Sequence, residues 1–488
     1  RYLKITLAAS SSSSAVNDVC GDLTLSVKPF TEIPGPKSLP GIGTLHNYLP
    51  FIGKYSFDRL HHNGKSKLNE FGSLVKEEII PGVFVVWVFT VEDIETVYAS
   101  EGQHPLRRSH LILEKYRKDH PHIYNSGGLL PTNGLKWMEL RKGFQKGLSR
   151  VQDVRLFLPE INSIMQDFIE FRLKSQSHHD DFLPDLSRLF FELTVSISFG
   201  ERLNSFSPEE KDPSSKSSRL IDAAFTVNSC ILKSDNGPQL WKRFRTPIYQ
   251  KFEAAHKLKK KSSGDSVEKL SLVEQYLRAI SSPSSKLDIK DKMFIFQSSY
   301  TSSFALYHLA KNRESQDLVH KEVKKLMHTH NSDGTITAEM LKNAPYTKAV
   351  VKEVLRMNPI SVGIGRILAK DAVLSNYFVP KGTTVVTQNQ VSCRLPEYFK
   401  NPEEFRPERW LKTSPLYQPV SPYLVLPFGH GPRACIARRL VEQELCVLIM
   451  KVMKDFQIEW NGKETLDSKS YLINKPDGPI SLSFLRRT

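Results

Sequence analysis

Cysteine is scarce in this sequence, and no paired cysteine motif is present. The 488 residues contain five cysteines, at positions 20, 230, 393, 435 and 446. Because none forms a CxxC pair and the number is odd, neither a zinc site nor a disulfide framework is indicated, and a reducing compartment fits best. A lone cysteine is usually a small buried apolar side chain. A functional role for any one of the five must therefore be argued from its surroundings.

Long apolar runs and nucleic-acid signatures are also missing. No run of about 18 or more apolar residues occurs, so the sequence predicts no membrane-spanning helix. The formal net charge is +16, yet we find no basic-aromatic repeat, finger or recognition-helix signature, and we expect no nucleic-acid partner. The charge is better suited to an acidic protein partner or to peripheral contact with an anionic membrane surface.

The first residues have the composition of a targeting segment. "RYLKITLAASSSSSAVNDVC" is basic and rich in serine, and it has no acidic residue before Asp18. These traits are typical of the end of a mitochondrial transit peptide, and a disordered serine linker is the alternative. We assign residues 1–32 to such a leader and residues 33–488 to one domain. The stretch "IPGPKSLPGIG" (33–43) is predicted to form a hinge between them.

The rest of the chain predicts a mainly helical α+β fold. "SLVKEEIIPGVFVVWVFT" indicates two strands joined at Pro81-Gly82. Apolar residues then recur at helical spacing from about 92 to 355, and short strand-like runs follow Arg356. A proline-rich irregular segment extends through 432, a helix is expected after Cys435, and residues 471–485 are predicted to form a closing hairpin. Many helices with small sheets in one long domain favour this fold class.

Cys435 stands in an unusual frame, "LPFGHGPRACIARRL". Gly429 and Gly431 permit a tight backbone bend against a flat ligand. Phe428 could pack on such a ligand, and Arg433 could meet its acidic edge. The amides at the start of the following helix favour an anionic sulfur. A thiolate supported in this way suits a haem iron.

Phe428, Gly431, Arg433 and Cys435 match F-x-x-G-x-R-x-C, and the chain thereby resembles the cytochrome P-450 family. The resemblance implies a large helical domain with small β-sheets around a buried haem b, with Cys435 as the axial ligand of the iron. The family usually has glycine two residues after the cysteine, where this chain has Ala437, a small change that we expect to be tolerated.

Two further motifs agree with this resemblance. In "KEVLR", Glu353 and Arg356 lie three residues apart on one helix face. Alone, such a pair is usually a solvated surface bridge, but here it is similar to the family's ExxR motif. Arg409 in "FRPERW" would then complete a structural cluster that holds the segment leading to Cys435.

The second motif is "WMELR", in which Trp137 and Arg141 lie at i and i+4. On a helix both side chains would reach one patch suited to haem propionates. Without the cysteine motif, a core tryptophan beside a surface arginine would be the preferred interpretation. Arg366 in "GIGRILAKD" matches a further propionate-binding arginine of the family.

The resemblance is greatest to the mitochondrial class. In "YTKAVVKEVLR", Lys348 and Lys352 lie one turn apart. By residue type alone they form a solvated helix face, but lysines at this spacing in that class bind an adrenodoxin-like ferredoxin. The implied enzyme is a ferredoxin-dependent monooxygenase that uses O2 and receives electrons from NADPH through a ferredoxin reductase. Its implied location is the matrix side of the mitochondrial inner membrane, as a peripheral protein.

Several stretches, among them "GLLPTNG", "NPISVGIGRIL" and "LINKPDGPI", resemble the insect ecdysteroid 22-hydroxylases of moulting-hormone synthesis. A steroid substrate, an ecdysteroid precursor hydroxylated at side-chain carbon 22, is therefore implied. Val362, Gly363 and Ile364 lie where the family lines its substrate pocket, although core packing explains them almost as well.

One family motif is missing. The central helix of the family carries A-G-x-D/E-T, whose acid and threonine supply protons for oxygen activation. Here Phe296 and Gln297 occupy those two positions, so no catalytic residue can be assigned. The helix is also about nine residues short, roughly two and a half turns. Either the transcript is mis-spliced, or the protein is an authentic variant with impaired chemistry.

Two alternative functions follow from the missing motif. The first is a protein that binds haem or sterol with little or no turnover. The second is a haem-thiolate isomerase or dehydratase, which needs no proton delivery to dioxygen.

Overall fold

The structure, a computed structural model, describes residues 26–122, 124, 126–145, 147–236, 239–261, 297–470 and 473–487. Most of the described chain is helical. The α-helices lie at Leu60–Phe71, Val91–Ala99, Leu111–Lys118, Gly134–Gln145, Val151–Arg155, Leu158–Phe168, Leu183–Phe199, Lys216–Asn236, Pro247–Lys261, Gln297–Lys311, Arg313–Thr329, Ala338–Lys342, Pro345–Met357, Asn389–Ser392 and Arg438–Asp455. Short 3-10 turns lie at Phe30–Glu32, Leu45–Tyr48, Glu209–Lys211, Leu240–Lys242, Pro407–Trp410 and Gly431–Arg433, and a π-helical turn lies at Ile169–Leu173.

The strands are short and form small sheets. They are β1 Leu74–Ile80, β2 Val83–Val88, β3 His178–His179, β4 Gly365–Ile367, β5 Ala372–Leu374, β6 Tyr377–Val379, β7 Thr384–Thr387, β8 Phe456–Trp460, β9 Ser468–Ser470, β10 Asn474–Pro476 and β11 Leu482–Arg486. The largest sheet has the order β1-β2-β7-β4, in which only the β2–β7 pair is parallel. The predicted α+β class and the strand pair joined at Pro81-Gly82 are confirmed, with Gly82 in a left-handed conformation at φ 75°.

The predicted closing hairpin at 471–485 is wrong. β10 pairs with β9, whereas β11 pairs antiparallel with β8 and with β3. Leu482 and Phe484 alternate inward from β11 and join the main core together with Phe456 and Ile458 of β8. Burial of these side chains in the main core therefore favours pairing of β11 with β8 over pairing with β10, its neighbour in sequence.

Gln297–Lys311, which we call the central helix, occupies the middle of the largest core. Phe304, Leu306 and Leu309 are almost fully buried in that core. The helix contacts Leu183–Phe199 on one side, and Pro345–Met357 and Arg438–Asp455 on others. Among the described residues, no helix combines the length and the apolar character needed to cross a bilayer.

The segment expected to be a hinge is attached to the sheet. The backbone N–H of Lys76 donates to Pro34 O at 2.8 Å, and a side chain at Gly35 would collide with Lys76 O. Residues before position 33 are also packed on the domain. The N–H of Lys28 donates to Asn376 O at 3.0 Å, and Phe30 packs on a core cluster that includes Leu74 and Val86. Residues 28–35 thus belong structurally to the folded domain.

Glu353, Arg356 and Arg409 meet in a buried cluster. Glu353 Oε1 accepts from Arg356 Nη2 at 2.8 Å and from Arg409 Nε at 2.9 Å, and Oε2 accepts from Arg356 Nε at 2.9 Å and Trp410 Nε1 at 2.9 Å. The backbone N–H of Arg406 adds a bond of 3.0 Å to Oε1. Burial alone would raise the pKa of the Glu353 carboxyl, but the hydrogen bonds and charge of Arg356, with the charge of Arg409, hold it below its ordinary value.

Replacing this carboxylate should destabilise the whole domain. In Glu353→Gln two buried guanidinium groups lose their shared counter-charge, and removing one partner of a buried ion pair typically raises the free energy of the folded state by about 3–5 kcal/mol. Denaturant unfolding followed by circular dichroism measures the change. The matched control is Glu339→Gln, which removes the exposed Lys342–Glu339 pair and should leave the midpoint nearly unchanged. Equal midpoints for the two variants would contradict a structural role of the cluster.

Candidate functional site

A large cavity opens over Cys435. Its volume is about 510 Å³, and its wall includes Trp137, Ile364, Phe428 and Leu440. The wall is mostly apolar, but it includes six arginines: Arg107, Arg108, Arg117, Arg141, Arg366 and Arg433. A mostly apolar hollow with a few polar groups is the usual form of a cofactor or ligand site.

The loop before Arg438–Asp455 presents Cys435 to this cavity. The N–H of Cys435 donates to Phe428 O at 2.7 Å, and Gly429 and Gly431 have φ of 74° and 68°, the left-handed conformation expected of them. Burial raises the pKa of the Cys435 thiol, whereas the backbone N–H of Ala437 and the charge of Arg141 lower it. The side chain is nevertheless exposed, because it lines the cavity wall inside the protein.

Trp137, Arg141 and Arg433 come together as the sequence predicts. Trp137 is buried, and the guanidinium carbon of Arg433 lies 4.4 Å from its ring centre, that of Arg141 5.7 Å. Arg433 Nη2 donates to Thr132 O at 2.5 Å and to Asn133 Oδ1 at 2.9 Å. Its Nε and Nη1 are buried and have no protein partner within the described residues, so two donors remain for an acceptor in the cavity.

Arg366 lies in the same wall but is already paired. It forms an ion pair with Glu101, and Arg366 Nη1 donates to Gly365 O at 3.0 Å. Burial raises the pKa of Glu101, and the charge of Arg366 opposes that rise. Sequence reasoning missed Glu101, and it missed Arg107, whose Nε and Nη2 bind Leu130 O at 3.0 and 2.8 Å. No local pattern distinguishes either residue from surface charge.

These residues fit the haem that the resemblance implies. Burial lowers the pKa of Arg433 to about 9 and that of Arg107 to about 10, and in both cases neighbouring arginines add to the effect. Like charges gathered in a buried wall are unfavourable unless anions lie among them. Propionates would supply those anions, the free donors of Arg433 would bind them, and the Cys435 thiolate would ligate the iron.

Two of the three expected substrate residues, Gly363 and Ile364, line the cavity over Cys435. Val362 is not in that lining and borders a smaller hollow with Trp87 and Gln388. Contact between Val362 and a substrate therefore stays a prediction. Gly363 is required sterically, since a Cβ there would lie 1.5 Å from Thr387 O.

The central helix contributes hydroxyl groups to the cavity. Phe296 lies outside the described residues, and Gln297 is the first residue of the helix. The replacement of the family's acid and threonine by these two residues therefore stays a prediction. Ser298 and Thr301 line the cavity, as does Glu444 from Arg438–Asp455. Ser298 Oγ and Glu444 Oε2 are both buried without a hydrogen-bond partner in the described part of the chain.

Glu444 is an acidic residue of the cavity lining that sequence reasoning also missed. Burial raises its pKa to about 8, and the nearby hydroxyl of Ser298 opposes the rise. The carboxyl therefore holds its proton at neutral pH and can donate it. The only sequence signal was its position nine residues after Cys435, which identifies a helix residue but not the cavity that it faces.

Lys348 and Lys352 lie on the exposed face of Pro345–Met357. Lys348 Nζ donates to Lys342 O at 2.8 Å, and Lys352 Nζ lies 5.8 Å from the ring centre of Trp410. The other face of the helix carries Glu353 and Arg356 into the buried cluster. The two lysines thus lie on the surface, one helical turn apart, and are accessible to a partner.

Glu444→Gln should change how stability depends on pH. A carboxyl whose pKa rises from its ordinary 4.5 to about 8 on folding favours the folded state fully below pH 4.5 and loses that advantage as the pH rises to 8. The variant cannot ionise, so its melting temperature should fall less than that of the parent between these pH values. Parallel melting curves at every pH would contradict the buried, protonated carboxyl. Glu442→Gln, on the same helix and half-exposed, is the control.

Comparison with known proteins places the chain among proteins with this type of site. The sequence model described as Cytochrome P450 matches residues 33–270 and 297–484, and the match is interrupted where the sequence departs from the family motif. "Cytochrome P450 302a1, mitochondrial" of Drosophila melanogaster is 44% identical over 94% of this chain and 96% of its own length. "Cytochrome P450 12b1, mitochondrial" of Drosophila acanthoptera is 29% identical over 94% of this chain and 90% of its own length. The chain belongs to the cytochrome P450 family.

Proposed function

We propose that this cytochrome P450 monooxygenase is a mitochondrial steroid hydroxylase that receives electrons from a ferredoxin. The observation that carries the proposal is the mostly apolar cavity whose lining contains Cys435 and six arginines. Members of the family bind haem b. When bound, haem supplies the activation of O2 that inserts one oxygen atom into a C–H bond of the substrate and reduces the other to water.

The residues of this chain bind and orient the cofactor, exclude water and hold a proton. Cys435 provides the sulfur ligand, and Arg433, Arg141 and Trp137 orient the acidic edge of the cofactor. The apolar side chains of Ile364 and Leu440 exclude water from the wall. Glu444 holds a proton at its carboxyl beside Ser298, and the hydroxyl of Ser298 can both accept and donate a hydrogen bond. This pair is the proton source that we assign to the described part of the chain.

The substrate assignment rests on the cavity and on sequence resemblance. A largely apolar wall suits a fused-ring hydrocarbon skeleton, because burial of apolar surface drives binding. The resemblance to ecdysteroid 22-hydroxylases supports an ecdysteroid precursor, and attack at side-chain carbon 22 rests on that resemblance alone. Gly363 and Ile364 would contact the substrate.

The location in mitochondria is supported by relatives whose names state it. Peripheral membrane contact is supported by two exposed apolar segments, one with Phe51 and Ile52 and one with Leu240 and Phe244, because side chains of this type are favourable at a membrane surface. Flotation with anionic vesicles tests this contact, and recovery of all protein in the vesicle-free fraction would exclude it.

Reconstitution tests the proposed reaction. The protein, an adrenodoxin-like ferredoxin, its reductase and NADPH are incubated with 2,22-dideoxyecdysone, and the products are identified by mass spectrometry. We expect a product hydroxylated at carbon 22. Cys435→Ser, the negative control, should lose the thiolate-type carbon monoxide spectrum of the reduced protein and all product, whereas Cys393→Ser should keep the spectral type.

A different result would favour the alternative function. Substrate-induced spectral change without product would indicate a sterol-binding P450 with impaired turnover, in line with the interruption of the family match between residues 270 and 297. Conversion without consumption of NADPH would indicate an isomerase or dehydratase. Either outcome contradicts the proposed monooxygenation.

The ferredoxin assignment predicts a charge-specific effect. Lys348→Glu together with Lys352→Glu should weaken ferredoxin binding at least about tenfold and make the remaining affinity less sensitive to salt, because close charge pairs are lost. Titration by absorbance difference at several salt concentrations measures both effects, and haem content should not change.

The control carries the same change in net charge. Lys321 and Lys325 are likewise exposed and one turn apart, on Arg313–Thr329, so Lys321→Glu with Lys325→Glu should affect binding much less. If the two double variants weaken binding equally, ferredoxin responds to overall charge and not to the predicted docking lysines.

A further inference from the structure

His61, His62 and Asp467 form a cluster outside the lining of the cavity over Cys435. The two histidines lie at the start of Leu60–Phe71, and Asp467 immediately precedes β9. Their candidate ligand atoms all lie within 4.8 Å of one another. None of the three residues lines the cavity over Cys435, so the reaction proposed above leaves the cluster unexplained.

Both imidazole rings direct the same nitrogen to one carboxylate. His61 Nε2 lies 3.0 Å from Asp467 Oδ1, and His62 Nε2 lies 2.8 Å from Asp467 Oδ2. His61 is anchored through Nε2 alone, since its Nδ1 is buried and has no partner among the described residues. The two ring centres are 4.3 Å apart with an interplanar angle of 70°, which lets both nitrogens approach one point without stacking.

We propose that His61, His62 and Asp467 bind a zinc ion. Two imidazole nitrogens and one carboxylate oxygen are a zinc ligand set, and bonds of 2.0–2.2 Å in tetrahedral geometry place such ligand atoms about 3.3 Å apart. The observed separations of 2.8 and 3.0 Å require only small movements to reach that value. A water molecule would complete the four ligands, because His62 is exposed and leaves the site open to solvent.

The charges around the cluster are compatible with a divalent cation. Arg59 approaches Asp467 Oδ2 at 3.2 Å, but its other terminal nitrogen binds Asp477 Oδ2 at 2.8 Å. One arginine thus faces two carboxylates, so these three groups leave an excess negative charge beside the cluster. Asp467 Oδ1 also accepts the backbone N–H of Ser468 at 2.6 Å, an outer contact of the kind that orients metal-ligating carboxylates.

Zinc at this site would connect the first helix to the β9–β10 pair. Asn474 of β10 donates to Pro359 O at 2.8 Å and to Gln390 Oε1 at 2.7 Å, and the preceding Ile473 lines the cavity over Cys435. The ion would therefore restrain one wall of that cavity from outside. Cys-x-x-Cys motifs are absent from the sequence, but this absence excludes only sites built from paired cysteines.

Direct metal binding tests the proposal. The haem-loaded protein, expressed without a polyhistidine tag and treated with a chelator, is titrated with Zn2+ by calorimetry and with Co2+ by visible absorption. We expect one ion per chain and the intense bands of four-coordinate Co2+. His62→Ala and Asp467→Asn should each weaken Zn2+ binding at least about tenfold. The melting temperature of the parent should rise with Zn2+ concentration, since the ion binds the folded state.

A matched control separates this site from ordinary surface histidine. His178 and Asp180 form an exposed pair with 3.1 Å between Nε2 and Oδ1, and the described residues supply no third ligand there. His178→Ala should therefore bind Zn2+ like the parent. His62→Ala removes an exposed side chain and should preserve folding and haem content. Equal Zn2+ affinity of the parent, His62→Ala and Asp467→Asn, or a Co2+ spectrum of the six-coordinate aquo type, would overturn the proposal.

Discussion

The buried carboxylate of Glu353 is the interaction on which the site depends. Three of its five hydrogen bonds join Pro345–Met357 to the segment at Arg406–Trp410, and the other two come from Arg356 of the same helix. Arg356 Nη1 extends the network to Cys393 O at 2.9 Å. The segment that follows contains only one short 3-10 turn, Gly431–Arg433, and ends in the loop that carries Cys435. A chain of this kind can hold a ligand atom in place only if its beginning is fixed, and the buried charge fixes it with directional bonds.

The cavity over Cys435 differs from the Glu353 cluster in how its charged groups are satisfied. Around Glu353 one carboxylate is shared by two arginines, and the remaining guanidinium donors bind protein oxygens, so the cluster needs no outside ligand. Over Cys435 the arginines exceed the ionised carboxylates, and Arg433 keeps two donors without a partner among the described residues. The first arrangement is stable in itself, whereas the second stores repulsion that an anionic cofactor relieves. The difference explains why motifs of similar composition, arginine beside an acid or an aromatic ring, serve structure in one place and binding in the other.

Sequence reasoning succeeded where a local pattern carries the chemistry and failed where only tertiary packing does. Gly429 and Gly431 before Cys435, and Trp137 with Arg141 at helical spacing, could be predicted because spacing alone decides which side chains meet. Glu101 and Arg107 could not, because their partners come from distant segments. The closing hairpin was misjudged for the same reason: Leu482 and Phe484 pair with β8, and alternation of apolar residues identifies a strand but not its neighbour.

Glu444 bears directly on the missing acid of the central helix. A proton source near the cofactor needs a group that is protonated at working pH and close to a hydroxyl, and a pKa of about 8 beside Ser298 satisfies both conditions. The carboxyl comes from Arg438–Asp455, so it does not depend on the segment 271–296 that the family model leaves unmatched. Loss of the family's acid and threonine would therefore remove one route for protons without removing every acidic group from the cavity. On the function proposed here, the remaining route runs from Glu444 through the hydroxyls of Ser298 and Thr301, which belong to the central helix and line the same cavity.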